Sequence, residues 1–532
     1  MTSVFRNGRI FAPNQHGEFA EAMIIKDGHI SYVGSLDKAD IPRDANLVDL
    51  QDRVVIPGFI DAHVHVLHYG ASIQKLNLIA CTSLDQIREA IQAFAKSNPA
   101  LPRILCQGWI QSSTHGVALA GMIDDLDSRP IYIDAFDLHS MWCNSAALEE
   151  MKVHDAPDYP GGTIHRDENG RATGLLDESA LMNHAWPFVE SLYSKEDRLS
   201  HLDSAIAAYS AAGYTGIVDM AMDDSSWELL NEYRRKKHIP FHIAAHWLIP
   251  FENDKEAHFR YVDRAAELRD KHNTPDFTVV GCKFICDGVV DGCTAALLQP
   301  YTGKSDLVEP IWPEAMLKDA VERADKAKLQ CAIHAIGDRA IRQAIDVLSQ
   351  VGTPGARHRI EHLEMTTSED ARRLGKLGIT ASVQPVHSDP KLFKAWPGLV
   401  GHDRCKRAFA YKDFLDGGAP LAIGTDAPTA RHFPFPNLYN ATTRRSALEP
   451  DTTDTVNEHF GISLAQAATA ATTGAAYARF ADSWTGSLEA GLSADFIVVD
   501  MQWSPDKLLE AKVCETWYKG ERVFDSTSRH AS

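Results

Sequence analysis

The sequence predicts an α/β protein built on a (β/α)8 barrel, or TIM barrel, with a long insertion and a small β domain made from both chain ends. Three observations predict this architecture. Eight strand-like apolar runs alternate with helix-like stretches, strand-and-turn patterns recur at both ends of the chain, and one connection is far too long for a loop. Repeated β-α units imply parallel strands, and eight of them are the number that closes a barrel.

The eight apolar runs are rich in β-branched residues, and Ala/Leu/Glu/Arg-rich helical stretches separate most of them. They predict barrel strands at residues 57–66, 213–220, 241–248, 279–288, 330–337, 357–364, 379–386 and 421–428. A doubly wound open sheet is the alternative, but no G-x-G-x-x-G motif follows the first run. We therefore favour the barrel.

The connection from residue 67 to residue 212 must contain an inserted subdomain, because compact domains rarely hold structureless loops of such length. Within it, RILCQGWI and RPIYIDAF read as strands and SLDQIREAIQAFAKS reads as a helix. The rim at the C-terminal ends of the barrel strands, where such barrels carry their chemistry, lies next to this insertion.

Both ends of the chain show the alternation of polar and apolar residues that is typical of small antiparallel sheets. FRNGRIFAP and AMIIKDGHISYVGS carry turn signals at Asn7-Gly8 and Asp27-Gly28. GSLEAGLSADFIVVD and VCETWYKGERVF have the same character near the other end. We expect the two ends to pair into one small sheet domain.

Composition excludes several classes of function. The net charge of -19 over 532 residues and the lack of a basic stripe argue against a nucleic-acid partner. No apolar run approaches the roughly 18 residues of a membrane span, and the N-terminal residues lack the apolar core of a secretory signal. Nine cysteines without C-x-x-C pairs are typical of reduced thiols. We expect a cytoplasmic protein with no nucleic-acid or membrane partner.

Two histidines stand out in PGFIDAHVHV, where His63 and His65 interrupt an apolar strand. In a chain with 24 histidines an H-x-H is expected roughly once by chance, so the pair alone is weak evidence. Side chains two residues apart on a strand point to the same side, however. Both imidazoles would therefore converge on one point.

Four other predicted strands carry a ligand-capable residue near their C-terminal ends, namely Lys283, His334, His362 and Asp426. Each has a structural explanation when taken alone: a hydrogen-bonded core histidine, a lysine that reaches solvent, or an aspartate that caps a helix. Six such groups at the matching ends of five strands would each need a partner on burial. A metal centre supplies all the partners, and imidazoles with a carboxylate suit zinc and its neighbours.

In order and strand position these six residues resemble the metal-dependent amidohydrolase superfamily, over nearly the whole chain. Within it the sequence is most similar to the amidohydrolase-3, YtcJ-like group, which includes N-substituted formamide deformylases. The segments that carry this resemblance are DLHSMWCNSAAL (137–148), CDGVVDGCTAALLQPY (286–301), HAIGDRAI (334–341), HRIEHLE (358–364) and GTDAPT (424–429). Related chains often read D-G-S after the lysine strand, whereas this chain reads DGVVDG, so different surroundings of the substrate are expected.

The resemblance implies a composite β-sandwich from residues 1–57 and 480–532, and a metal-binding barrel over 58–479 with the inserted subdomain at about 67–212. It also implies two divalent ions, zinc or other transition metals. One would be held by His63, His65 and Asp426, the other by His334 and His362, with carbamylated Lys283 bridging both. A homodimer is expected because dimers are common in similar proteins.

The implied reaction is hydrolysis of a non-peptide C–N amide-type bond in a small molecule, such as an N-substituted formamide or another small N-acyl compound. A hydroxide that bridges the metals would attack the carbonyl. Asp426 would be the catalytic residue that moves the proton of the water to the leaving nitrogen.

Six further residues are candidates for substrate binding, because they follow predicted strands or flank the ligands: Trp109, His139, Trp142, Asn144, Asp338 and Gln384. Core packing is the alternative for Trp142, and a carboxylate at a helix start is the alternative for Asp338. Asp61 and Arg359 are expected to be structural.

Two other functions remain open. The first is a mononuclear amidohydrolase-type deaminase, isomerase or decarboxylase on the same barrel. Against the deaminase, Gly337 stands three residues after His334, where such enzymes usually have a glutamate. The second is a non-catalytic binding protein, which would have little reason to keep six costly polar groups in a core.

Overall fold

The computed structural model describes residues 2–13, 19–157, 159 and 162–527. At its centre is a parallel sheet of eight strands, which confirms the predicted barrel strands and their order. In chain order these are β1 (Phe59–Val64), β2 (Tyr214–Met222), β3 (His242–Leu248), β4 (Phe277–Ile285), β5 (Gln330–Ala335), β6 (Arg359–His362), β7 (Thr380–Val383) and β8 (Leu421–Ile423).

Backbone hydrogen bonds join the first and last strands of this sheet. The Asp426 amide donates to the His63 carbonyl at 2.7 Å, and the His65 amide donates to the Ala427 carbonyl at 3.0 Å. Val64 and Ala427 form a parallel bridge between them. The sheet is therefore a nearly closed barrel, and three of the predicted metal ligands lie along the line where β1 meets the segment after β8.

The last barrel strands end earlier than their sequence pattern predicts. β6 ends at His362 and β8 ends at Ile423, although the apolar runs continue to residues 364 and 428. His362 and Asp426 have φ angles of 75° and 57°, which lie outside the extended region. The backbone turns at these two residues, so both side chains can approach the barrel axis from loops at its rim.

Helices connect the barrel strands and bury one face against the sheet. The helix Asp338–Val351 shows the pattern, because Ile341, Ile345 and Leu348 are buried at helical spacing. The principal helices around the barrel are Lys195–Ala211, Asp224–Lys236, Lys255–Lys271, Glu314–Lys326, Asp338–Val351, Ser368–Leu377, Tyr411–Asp416, Pro434–Thr443 and Leu464–Thr469. Shorter α-helices lie at Val66–Ser72, Pro390–Phe393, Trp396–Val400, His402–Cys405 and Ala475–Ala478.

The insertion after β1 contains a six-stranded sheet with its own core. Its strands are Leu76–Asn77, Ile104–Trp109, Ile131–Ala135, Ser140–Cys143, Gly162–Arg166 and Ala172–Glu178. The helix Leu84–Ser97 is capped by Ser83 and confirms the predicted helix; two short helices, Ser145–Glu150 and Trp186–Ser191, accompany it. The helix Lys195–Ala211 also lies in the range predicted for the insertion, but its buried face packs in the barrel core.

Strands from both chain ends lie in one sheet, as expected. Val54–Pro57 pairs antiparallel with Phe496–Asp500, which joins the two ends. The other strands of this sheet are Thr2–Phe11, Phe19–Lys26, His29–Gly34, Asn46–Asp49, Lys512–Tyr518 and Glu521–Asp525. A second sheet layer, and the limits at 57 and 480, stay predictions; residues 1, 14–18 and 528–532 of the predicted end segments lie outside the described residues.

The two predicted turns in the first segment have different outcomes. Asp27 and Gly28, at φ angles of 50° and 81°, form the turn between Phe19–Lys26 and His29–Gly34. The turn predicted at Asn7-Gly8 is wrong, because both residues lie inside the strand Thr2–Phe11. The pairing register with Phe19–Lys26 shifts between Arg6 and Ile10, so the Asn-Gly pair forms a bulge.

In the described part of the chain, no helix has the length and apolar character needed to cross a membrane. All nine cysteines are unpaired.

Candidate metal centre and substrate cleft

Four of the predicted metal ligands meet where the barrel closes. The Nε2 atoms of His63 and His65 lie 3.4 Å and 3.1 Å from Oδ1 of Asp426. The ammonium nitrogen of Lys283, which is at the end of β4, lies 3.5 Å from Nε2 of His63. Two histidine nitrogens from β1 and the residue after it, and a carboxylate oxygen from the segment after β8, therefore point at one small volume.

The other two predicted ligands lie beside this group. The ring centroids of His334, on β5, and His362, at the end of β6, are 4.3 Å apart. The His362 ring is 5.0 Å from the His63 ring, and its Nδ1 lies 4.0 Å from Oδ2 of Asp426. The structure thus brings all six predicted residues together at the C-terminal end of the barrel.

The donor atoms of this group fit a transition metal. Burial lowers the pKa of His63 to about 4 and lowers the pKa values of His334 and His362 well below the usual range, so these imidazoles are neutral at neutral pH. Neutral imidazole is the form that binds metals. Within the described residues, Oδ1 of Asp426 and Nδ1 of His362 are buried without a hydrogen-bond partner. A metal would satisfy both atoms.

Lys283 is almost fully buried at 2 % exposure, and burial lowers its pKa to about 8 although Glu361 and Asp426 favour the charged form. An ammonium group has no lone pair and cannot bind a metal. The neutral amine is the form that can react with CO2 to give an anionic carbamate, and the lowered pKa makes this form more abundant than it is for an exposed lysine.

A buried ion pair between Glu361 and Arg359 lies next to His63 and orients its ring. Glu361 accepts a hydrogen bond from Nδ1 of His63 at 2.8 Å, which leaves Nε2 of that ring facing the site. Arg359 donates to both oxygens of Glu361, at 2.5 Å and 3.0 Å, as its expected structural role requires. Sequence reasoning missed Glu361. Its acidic side chain next to His362, within an apolar strand, is the signal that could have indicated it.

Asp61 ties the two sides of the barrel seam together. It accepts hydrogen bonds from the amide and hydroxyl of Thr425 at 2.9 Å and 2.6 Å, and from the hydroxyl of Tyr209 at 3.0 Å. It also accepts from the amide of His63 at 3.2 Å. This network fixes the backbone on which His63 and Asp426 stand, in agreement with the structural role expected for Asp61.

A cleft of about 580 Å³ opens over the centre. Of the predicted substrate residues, His139 lines it, and its Nδ1 lies 2.7 Å from Oε2 of Glu178. Burial alone would lower the pKa of His139, but the carboxylate of Glu178 raises it to about 9. His139 is therefore a fixed cation on the wall, with its ring 5.3 Å from that of His334.

His387 and Glu364 are cleft residues that sequence reasoning missed. Nδ1 of His387 lies 3.3 Å from Oε1 of Glu364, and its Nε2 lies 3.9 Å from Oδ2 of Asp426. Together with His362 they form a second group whose donor atoms all lie within 4.8 Å of one another. Glu364 lies in the turn after β6 and His387 in the short 3-10 helix Pro385–Ser388, so neither residue belongs to a strand pattern.

The DGVVDG sequence contributes two carboxylates, of which Asp287 is buried and Asp291 is half-buried. Asp287 accepts hydrogen bonds from the amides of Ala296, Ile336 and Gly337, at 2.9, 3.0 and 2.8 Å. It therefore fixes the loops around β4 and β5. Asp291 lines the cleft, and burial raises its pKa to about 7. The departure from D-G-S thus places an acidic side chain on the cleft wall.

The structure does not bring the other predicted substrate residues to the cleft lining. Trp109 and Trp142 pack together in the core of the insertion, with ring centroids 5.4 Å apart. Asn144 caps the helix Ser145–Glu150, and Asp338 begins its helix and accepts from the Leu298 amide at 2.7 Å. Gln384 is buried at the end of β7, and neither of its side-chain polar atoms has a hydrogen-bond partner within the described residues.

Known proteins resemble this chain over its full length. It is 27% identical over 544 residues to the "Putative amidohydrolase YtcJ" of Bacillus subtilis, with 99% of this chain and 100% of that protein covered. It is 25% identical to the "N-substituted formamide deformylase" of Arthrobacter pascens, with 98% of each chain covered. The crystal structure of an uncharacterized metal-dependent hydrolase from Pyrococcus horikoshii superposes with a TM-score of 0.74 at 23% identity, covering 95% of this chain and 98% of that one.

The sequence model of the Amidohydrolase family matches residues 46–524, which include the barrel, the insertion and about half of the sheet formed by the chain ends. This match confirms the resemblance inferred from the five ligand-bearing strands. The chain is therefore an enzyme of the amidohydrolase family.

Proposed function

We propose that this enzyme is a metal-dependent hydrolase of C–N amide-type bonds in small N-acyl compounds, with N-substituted formamides as the leading substrate class. The observation that carries the proposal is the convergence of four imidazoles, a carboxylate and a buried lysine beneath one cleft. The similarity to the N-substituted formamide deformylase of Arthrobacter pascens supports the substrate class.

His63, His65 and Asp426 would hold one ion, and His334 and His362 would hold a second. Lys283, as its carbamate, would bind both. Zinc is the leading candidate because the donors are nitrogen and oxygen atoms of borderline softness. When bound, such ions supply a water that is deprotonated near neutral pH and polarise a carbonyl group.

The residues of the chain supply proton transfer and orientation. Asp426 lies between the histidines and the open cleft, and it would accept the proton of the attacking water and pass it to the leaving nitrogen. His139 is protonated at neutral pH, because the pKa of its imidazole is about 9, and it can donate a hydrogen bond to the substrate. Glu178 holds this ring in place.

One observation argues against the deaminase alternative. A Cβ atom at Gly337 would lie 2.1 Å from the carbonyl oxygen of Ala296. The backbone around Gly337 therefore leaves no room for the glutamate that deaminases usually have at this position. Hydrolysis at an amide carbon needs no such residue.

Metal analysis of the protein, purified without chelators in buffer with bicarbonate, tests the proposal. We expect close to two equivalents of zinc per chain, and a loss of metal in Lys283→Ala. Lys326→Ala, which changes an exposed lysine on an outer helix, is the matched control and should keep the metal. If the protein contains one equivalent of metal and Lys283→Ala contains the same amount, the mononuclear alternative would be favoured. An active protein that contains no metal would overturn the proposal.

Activity is then measured on N-substituted formamides, N-acyl amino acids and cyclic amides with the metal-loaded protein. Turnover of a formamide above that of the other classes supports the substrate class. Turnover of cyclic amides alone would exclude it.

A further inference from the structure

A second and larger cavity, of about 1350 Å³ including its opening to solvent, adjoins the substrate cleft. Phe136 and Leu392 line both spaces. In addition, Thr429 on the wall of the larger cavity lies 3.0 Å from Nε2 of His387 on the wall of the cleft. The two spaces are therefore neighbours that share part of their walls, and a substrate long enough to pass these side chains would reach from the cleft into the larger cavity.

The larger cavity is predominantly apolar. Its walls include Ile73, Ile79, Val386, Leu392, Phe433 and Leu448. Phe433 is 45% exposed and Ile73 is 44% exposed, and both line this cavity. Exposed apolar side chains that lie together can mark a binding site. Burying this surface against an apolar ligand would be favourable.

The cavity wall is built into the fold. Asp389 is buried and accepts hydrogen bonds from the hydroxyl of Ser446 at 2.6 Å and from the amides of Ala447 and Leu448 at 2.7 Å and 3.2 Å. These bonds hold the loop after the helix Pro434–Thr443 against the loop after β7. The wall is thus formed before a ligand binds, which lowers the cost of binding.

A cation without a partner stands at the mouth of this cavity. Arg431 is exposed, and within the described residues it makes no hydrogen bond or ion pair. The other cation of the lining, Lys75, is paired with Asp134 at 2.5 Å. Arg431 is therefore the group of this lining that is available to bind an anionic group of an apolar ligand.

We propose that this cavity binds an apolar arm of the substrate that ends in an anionic group held by Arg431. The substrate class is then an amide with a linear alkyl substituent and a terminal carboxylate. This inference rests on the proposed function, because it places the reacting amide in the cleft.

The test compares kcat/KM for N-butyl-, N-hexyl- and N-octylformamide and for the N-formyl derivatives of ω-amino acids of the same lengths. We expect each added methylene to raise kcat/KM by about threefold to fourfold until the cavity is filled. A terminal carboxylate should add about threefold to tenfold. Arg431→Gln should remove the gain from the carboxylate, and Ile73→Asp should reduce the gain from chain length.

Two control variants carry the same chemical changes outside the cavity. Arg372→Gln removes an exposed arginine on the helix Ser368–Leu377, and Leu101→Asp changes a leucine of the insertion that is 41% exposed. Neither should alter the ratio of long to short substrates. A flat series, or an advantage of the carboxylate that survives Arg431→Gln, would overturn the inference.

Binding of octanoate to the metal-loaded protein, measured by calorimetry, separates this inference from the proposed function. Suppose that the protein binds octanoate, that Arg431→Gln weakens this binding, and that no formamide is hydrolysed. The inference about the cavity would then stand, and the formamide reaction would be refuted. If formamides are hydrolysed but kcat/KM depends neither on chain length nor on Arg431, the formamide reaction would stand and the inference about the cavity would be refuted.

Discussion

Replacing Glu361 by glutamine tests whether the ion pair beneath His63 organises the metal centre. The carboxylate is fully buried, and it accepts hydrogen bonds from Nδ1 of His63 and from two nitrogens of Arg359. Glutamine has nearly the same shape as glutamate, but it lacks the negative charge. Its side-chain NH2 group would face either His63 or Arg359, both of which donate hydrogen bonds to the carboxylate. The buried guanidinium then loses its counter-ion.

The expected magnitude follows from this burial. Breaking a buried ion pair from one side costs about 3 to 5 kcal/mol of unfolding free energy. Arg359 keeps its bonds to the Ala62 carbonyl at 2.7 Å and the Ser382 hydroxyl at 2.6 Å, so we expect the low end, about 3 kcal/mol. Loss of the bond that orients His63 should weaken metal binding about 10-fold to 100-fold.

Urea denaturation of the metal-free protein gives the first quantity, and competition with a chelator gives the second. Glu309→Gln is the matched control, because Glu309 pairs with Arg339 at the surface with 71% of its side chain exposed. That change should cost less than about 1 kcal/mol and leave the metal affinity unaltered. The reasoning is refuted if Glu361→Gln has a wild-type unfolding midpoint and wild-type metal affinity.

Three further predictions concern the same rim. Asp426→Asn should fold and keep most of its metal but lose nearly all hydrolysis; activity within about tenfold of wild type would remove its role in proton transfer. Glu178 raises the pKa of His139 to about 9, whereas a histidine in an unfolded chain has a pKa of about 6.5. This pair therefore stabilises the fold fully below pH 6.5, and the stabilisation is lost as the pH rises through 9. Glu178→Gln should therefore lower the unfolding free energy by about 2 kcal/mol at pH 6 and much less at pH 10, and an equal loss at both pH values in denaturation experiments would contradict this. A Cβ at Gly424 would lie 2.4 Å from the amide nitrogen of His63, so Gly424→Ala should cost about 1 to 3 kcal/mol, and an unchanged urea midpoint would show that the seam can relax.

The barrel strands and the cluster of six polar residues at their ends could be predicted because each is visible in a local pattern. Apolar runs of strand length mark buried parallel strands, and a polar residue within such a run, such as Lys283 or His334, is conspicuous. Glu364 and His387 could not be found in this way. They reach the cleft through loops, and the left-handed φ at His362 that starts one of these loops is not encoded in a periodicity.

Tertiary contacts explain where the local signals failed. Asn7-Gly8 is a turn signal, but Thr2–Phe11 pairs with Phe19–Lys26 on one side and with Asn46–Asp49 and Val54–Pro57 on the other, so the strand continues through a bulge there instead of turning back. Trp109 and Trp142 lie in strands of the insertion, which has its own core and buries both rings.

The pairing of Val54–Pro57 with Phe496–Asp500 has a consequence for synthesis of the chain. At about 5 to 20 residues per second, the first strand leaves the ribosome roughly 20 to 90 seconds before its partner exists. During that interval an apolar strand has one edge without its partner, the kind of edge that recruits other chains. The barrel, in contrast, has all its strands before residue 496 is made. The sheet that unites the chain ends is therefore the last part to be completed, and the nascent chain needs protection there longest.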